Sequence, residues 1–180
     1  MKPFISKCIL LAGLLLSINN LHAQVLSFHH GEVEFYTETV MSDIEAFTKT
    51  ADVKLDIQTG EFEATVNIQS FEFEYETMQE HFNEKYMESD KFPQATFKGK
   101  IVQNIAGISE AMEVDASGKM TIHGVSKEIK IKAKIAKKQD YTVVECKIPV
   151  VFEDYQVEEP SILSKSVAKD VLIKVSVYLK

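Results

Sequence analysis

Residues 112–135 read Met112-Glu113-Val114-Asp115-Ala116-Ser117-Gly118-Lys119-Met120-Thr121-Ile122-His123-Gly124-Val125-Ser126-Lys127-Glu128-Ile129-Lys130-Ile131-Lys132-Ala133-Lys134-Ile135. Met112, Val114 and Ala116 alternate with acids as far as Ser117-Gly118, which reads as a turn, and Met120 and Ile122 resume the pattern. Gly124 to Lys127 turns the chain again into Ile129, Ile131, Ala133 and Ile135, whose other face is Lys130, Lys132 and Lys134. A period of two sends successive side chains to opposite faces of a strand, so each segment has one dry and one wet face.

The same grammar extends in both directions. Val53, Leu55 and Ile57 alternate up to Thr59-Gly60, and Phe62, Ala64, Val66 and Ile68 alternate after it, which predicts a hairpin. After Ser70 the apolar phase moves to Phe71, Phe73 and Tyr75, and a single extra residue, a bulge or bend near Ser70, is the simplest way to flip the faces. Thr77 to Asp90 loses the two-residue period and stops before Phe92-Pro93, so it reads as a short helix or structured crossover, with Met78, Phe82 and Tyr86 on one stripe. Strand character returns over Thr96 to Ile101, Tyr141 to Phe152 and Asp170 to Leu179, and a shorter strand or pair lies between Val25 and Met41. The total is about eight to ten strands with no alternation of strand and helix, an all-β antiparallel chain. Periodicity alone leaves barrel and sandwich open.

The composition agrees with one folded core: 180 residues, 45% hydrophobic, with Phe 11, Gly 7 and Pro 4. All 20 basic residues are Lys, against 27 acids, so no guanidinium fork is present for phosphate or base edges and nucleic acid is not an expected partner. Residues 1–23 combine Lys2 and Lys7, the apolar run Cys8 to Leu16 and a small residue at Ala23, the pattern of a secretory signal peptide. Cleavage there leaves 24–180 as a single domain with 18 Lys against 27 acids, a net charge of -9. The mature chain is not expected to insert stably into a membrane, and it keeps one cysteine, Cys146, expected to be buried and inert.

Sites for covalent chemistry are hard to find in this sequence. His29 and His30, being adjacent, are expected on opposite faces of a strand, and His81 and His123 lack metal-ligand spacing. There is no nucleophile elbow or phosphate loop, and the acids alternate with apolar residues as a solvated sheet face does. Catalysis would require His81 or His123 to meet a carboxylate in a pocket. The expectation is no enzyme, no metal and no cofactor.

Two stretches carry a family resemblance. Glu80-His81-Phe82, followed by Ser89-Asp90-Lys91-Phe92-Pro93-Gln94-Ala95-Thr96-Phe97, is similar to the helix-containing connection and Pro-x-x-x-Phe strand start of the YceI-like family of secreted, lipocalin-like β-barrels. Met120-Thr121-Ile122-His123-Gly124-Val125-Ser126-Lys127 resembles that family's Thr-Ile-His-Gly-Val-Thr-Lys turn, and the order and separation agree. The chain departs from the pattern before His81, where an Arg-Asp pair is common and Met78-Gln79-Glu80 stands instead. The resemblance implies an extended antiparallel lipocalin-like barrel of about eight strands with one short helix-containing crossover. It also implies an interior that holds a long isoprenoid or fatty chain in a carrier or storage role.

On that basis Phe62, Phe71, Phe73, Phe97 and Phe152 are expected to line or fill the interior, with Met78, Phe82 and Ile122 completing the ligand-binding set. His81, Tyr86 and His123 are the expected polar residues at the mouth. An isoprenoid quinone, a polyprenyl chain or a fatty-acyl chain fits such a lumen, since burial is worth roughly 0.8 kcal/mol per methylene and ten carbons supply about 8 kcal/mol before binding costs. Monomer and homodimer both stay open, and the expected location is periplasmic or extracellular. The alternative is a non-catalytic structural or protein-interaction module whose barrel is filled by its own side chains.

Overall fold

A computed structural model describes residues 24–38, 43–157 and 170–180; the expected signal peptide lies outside the described residues. Among these residues ten strands form one sheet: β1 (Val25–Thr37), β2 (Ile44–Thr48), β3 (Asp52–Asp56), β4 (Glu61–Asn67), β5 (Glu72–Phe73), β6 (Gln94–Ile101), β7 (Met112–Ile122), β8 (Val125–Lys138), β9 (Tyr141–Val151) and β10 (Asp170–Leu179). Every neighbour is antiparallel, and β10 pairs with β1 to close the sheet. Eight strands make the ring, in the order β1-β3-β4-β6-β7-β8-β9-β10, while β2 and β5 prolong β3 and β4 beyond a break. The barrel alternative is therefore the correct one, and closure removes the edges that an open sheet would expose.

The breaks lie side by side. On β1 the inward residues change from Leu26 and Phe28 to Val33, Phe35 and Thr37 across a bulge between Phe28 and His30. On the next strand they change from Ala46 and Thr48 to Val53 and Leu55, and on the next from Phe62, Ala64 and Val66 to Phe73, across the 3-10 turn Ile68–Ser70. That turn is the bend expected near Ser70. A buried hydroxyl fastens the kinked region: Thr48 Oγ1 lies 2.9 Å from Ser70 Oγ and 3.1 Å from Thr50 Oγ1, and accepts from the Thr50 N–H at 3.1 Å.

Two expectations are corrected. Ser117-Gly118 is not a turn, because β7 runs unbroken through it and Gly118 faces Gly99 of β6. A Cβ on Gly118 would stand 2.5 Å from the Gly99 Cα, so the two glycines serve the close approach of two strands. His29 and His30 do not point to opposite faces: the bulge leaves both exposed, with their Nδ1 atoms 2.9 Å apart and the His30 ring stacked on Tyr178. The expected strand or pair between Val25 and Met41 is, over the described residues, the single strand β1.

The crossover is the helix α1 (Glu76–His81) continued by a π turn over Phe82–Tyr86. The Met87 N–H donates to the Phe82 carbonyl at 2.8 Å, five residues back, and the added residue turns Met87 into the core beside Phe82. Two apolar clusters result. One, under the crossover, holds Phe35, Phe71, Phe82, Met87 and Phe152; the other closes the far end with Ile105, Ile135 and Leu179. Phe62, Ile131, Cys146 and Val175 border both and remain only partly buried.

Candidate functional site: the lumen

Inward-facing side chains that keep accessible surface in a closed barrel face a void. Phe62, Ala64 and Val66 of β4, Ile131 of β8, Cys146 of β9 and Val175 of β10 do so, and they line a cavity of about 200 Å³ between the two clusters. Its wall is aliphatic and aromatic; among the described residues the Thr96 hydroxyl, the Cys146 thiol and the thioethers of Met87 and Met120 are its only side-chain heteroatoms. The cavity exceeds the roughly 150 Å³ that admits benzene in an engineered core and falls short of the roughly 300–1,000 Å³ usual for ligand pockets. As it stands it accommodates a segment of chain. Burial raises the Cys146 thiol to about 11, which leaves it protonated and unreactive at neutral pH.

The structure brings six of the expected site residues onto this wall: Phe62, Phe71, Phe82, Phe97, Ile122 and Phe152. Phe62 meets Phe97 edge-on at 4.9 Å, and Phe82 is the hub of the aromatic end, 5.4 Å from Phe35, 5.9 Å from Phe71 and 4.9 Å from Phe73. Phe73 itself borders a polar surface groove beside the crossover. Met78 is half-buried off the lumen, His81 is exposed at the end of α1, and Tyr86 packs against Phe152 with rings 6.3 Å apart. Absent from the expected set are Phe35, which lies in a stretch read only as a shorter strand or pair, and the inward aliphatic residues of β8, β9 and β10, whose alternation is as regular as that of β4 but which carry no aromatic ring to single them out.

His123 has a different place. With Gly124 it forms the two-residue link of the β7–β8 hairpin, both residues in the left-handed region (φ 49° and 75°). This is a hairpin turn whose twist matches the strands, and Gly124 fits because a Cβ there would meet the Phe92 ring at 2.7 Å. The His123 side chain, only 10% exposed, lies edge-on to Phe92 at 4.4 Å and holds Glu88 Oε2 at 3.2 Å. Glu88, a carboxylate, accepts, so Nε2 carries the proton, and Nδ1 finds no partner among the described residues. Lys91 first, with a smaller contribution from His123, holds the Glu88 carboxyl below its ordinary range. His123 meets a carboxylate as a clamp between hairpin and crossover, outside the lumen wall.

An eight-stranded antiparallel barrel with a helical cap and an uncharged interior is a lipocalin-like barrel. The profile of the YceI-like domain matches residues 17–179, and the chain belongs to the YceI-like family. Among solved structures it is similar to a polyisoprenoid binding domain from Saccharophagus degradans implicated in plant cell wall breakdown, at 14% identity and TM-score 0.76 over 86% of this chain and 97% of that one. It is similar also to BcnA of Burkholderia cenocepacia, at 20% identity and TM-score 0.69 over 82% and 95%, and to the YCEI protein of Campylobacter jejuni, at 22% and 0.52 over 73% and 81%. These likenesses concern the fold. No curated protein matches the sequence.

Proposed function

We propose that the protein is a non-catalytic binding protein that holds a long apolar chain, isoprenoid or fatty-acyl, in the barrel lumen as an exported carrier or store. The observation that carries this is the uncharged cavity at the waist, with apolar side chains left incompletely packed on every side. A domain of the same fold from Saccharophagus degradans is described as polyisoprenoid binding, which supports the reading. Among the described residues the wall offers no charged partner, so a charged head there would lose its hydration uncompensated and must stay in water. Selection inside the barrel is then by chain and not by head. The leader-like residues 1–23 support export to a periplasmic or extracellular space.

The second reading, a module filled by its own side chains, draws on the modest cavity and the two packed ends. Native mass spectrometry of the protein from its exporting host, followed by denaturation and lipid extraction, separates the two. A stoichiometric hydrophobic molecule released on denaturation is expected, and Ala64→Phe, which puts a ring into the cavity, should lose it while melting cooperatively. An apo mass that persists after incubation with isoprenoid quinones and fatty acids would establish the filled module instead.

A further inference from the structure

The wall parts between β8 and β9. These strands leave their hairpin paired from Lys138 and Tyr141 to Ala133 and Cys146, and the ladder ends there. Both strands go on: β8 follows β7 back to Val125, and β9 follows β10 to Val151. Pro149 lies in the parted stretch, where no β8 carbonyl waits for the N–H it lacks.

The inner lips of this gap are apolar. Ile131 from β8 and Ile148 and Val150 from β9 line the cavity, and Ile129 and Ile131 face inward yet stay partly exposed. The outer lips are basic. On β8 Lys130 and Lys132 alternate outward, and on β9 Lys147 does the same. Lys132 is held by Asp115 at 3.0 Å, whereas among the described residues Lys130 and Lys147 form no ion pair. Toward the crossover end Lys127 pairs with Asp154 and lies over the Tyr155 ring, tying the 3-10 turn Phe152–Tyr155 to β8. Glu128 and Glu153 are the other acids near this end. In a chain of formal net charge -7 the lips are, among the described residues, a local reversal of sign beside a wall where the cavity's lining meets parted strands.

We infer that the β8–β9 gap is the seat of an amphiphile with an anionic head, a carboxylate or a phosphate. The chain passes between Ile131 and Ile148 into the lumen, and the head stays outside against Lys130 and Lys147. This rests on the lumen being a chain site. The division of labour follows from chemistry: the lumen cannot pair a charge, and lysines act as hydrated point charges that need no fixed fork geometry. Attraction at such exposed groups is weak and screened, so the preference belongs to low ionic strength.

The test keeps the chain constant and varies the head: palmitate, hexadecyl phosphate, hexadecanol and hexadecylamine are titrated against the purified protein at low and high salt. Anionic probes are expected to bind about tenfold tighter than hexadecanol and the amine weakest, the spread narrowing as salt rises. The ratio of palmitate to palmityl alcohol affinity should fall severalfold in the Lys130→Ala, Lys147→Ala double variant. It should stay as in the parent in Lys98→Ala, Lys100→Ala, two lysines on the outer face of β6. Palmitate against hexadecyl phosphate tells the two head chemistries apart. Binding of all four probes with no head preference, or equal loss in both double variants, overturns the head site and leaves the lumen reading intact. No binding by any probe overturns the lumen reading itself.

Discussion

At the scale of single residues, His123 is the most instructive side chain. Its ring joins a hairpin turn to the loop after the crossover, through Phe92 on one side and Glu88 on the other. Removing the ring leaves a hole under Phe92 and takes one partner from a carboxylate, so His123→Ala should cost about 2 kcal/mol in urea denaturation. Asn, which tolerates the left-handed backbone, should recover part of that. Glu88 gives a pH signature. Its pKa in the folded state lies below the ordinary 4.5, so its contribution is complete above that value and is lost as pH falls through the folded pKa. The melting temperature of the parent should therefore drop more steeply below about pH 4.5 than that of Glu88→Gln. Equal slopes in a pH series of thermal melts would remove Glu88 from the account. The sequence marked His123 as notable through its motif, but polar character suggested a mouth residue; its burial depends on Phe92, thirty-one positions away by number and in contact only after the barrel closes.

At the scale of elements, the kinks in three adjacent strands come from local sequence and are fixed by a long-range contact. The phase change after Ser70 was legible because alternation with a period of two cannot shift without an extra residue. The matching change between Thr48 and Val53 was not, since the segment 49–51 carries too few apolar residues to show a phase. Thr48, 2% exposed, sits where the breaks meet and bonds Ser70 and Thr50. Thr48→Val keeps the shape and removes these bonds; it should cost about 1–2 kcal/mol by urea denaturation, with amide exchange quickened in β2 and β5 and unchanged in β7. Uniform quickening would show that the contact supports the whole barrel. The π turn is a similar case: a helical stripe of Met78, Phe82 and Tyr86 could be read, but Met87 turns inward only because the turn takes in one residue more. Ser117-Gly118 misled in the other direction, since a glycine needed for close packing and one needed for a turn look alike in sequence.

At the scale of the molecule, the barrel places an inert thiol on the wall of its cavity, and this gives a direct readout of occupancy. Cys146 reacts only as thiolate, which burial suppresses, so labelling by a thiol reagent should be slow in the empty protein and slower by severalfold when a chain fills the lumen. Labelling that ignores an added fatty acid would argue that the chain lies elsewhere. The antiparallel all-β class, the wet and dry faces, the crossover and the apolar interior were all determined by the sequence itself, because alternation and breaks in it are local properties that survive any arrangement of the strands. The closure into a ring, which the family resemblance implied and periodicity left open, was settled by the tertiary structure, and the size of the cavity, the parting of β8 from β9 and the burial of His123 were decided only there. Each depends on which strands become neighbours and how far their ladders run, and those are relations between residues distant in the chain that no single segment encodes.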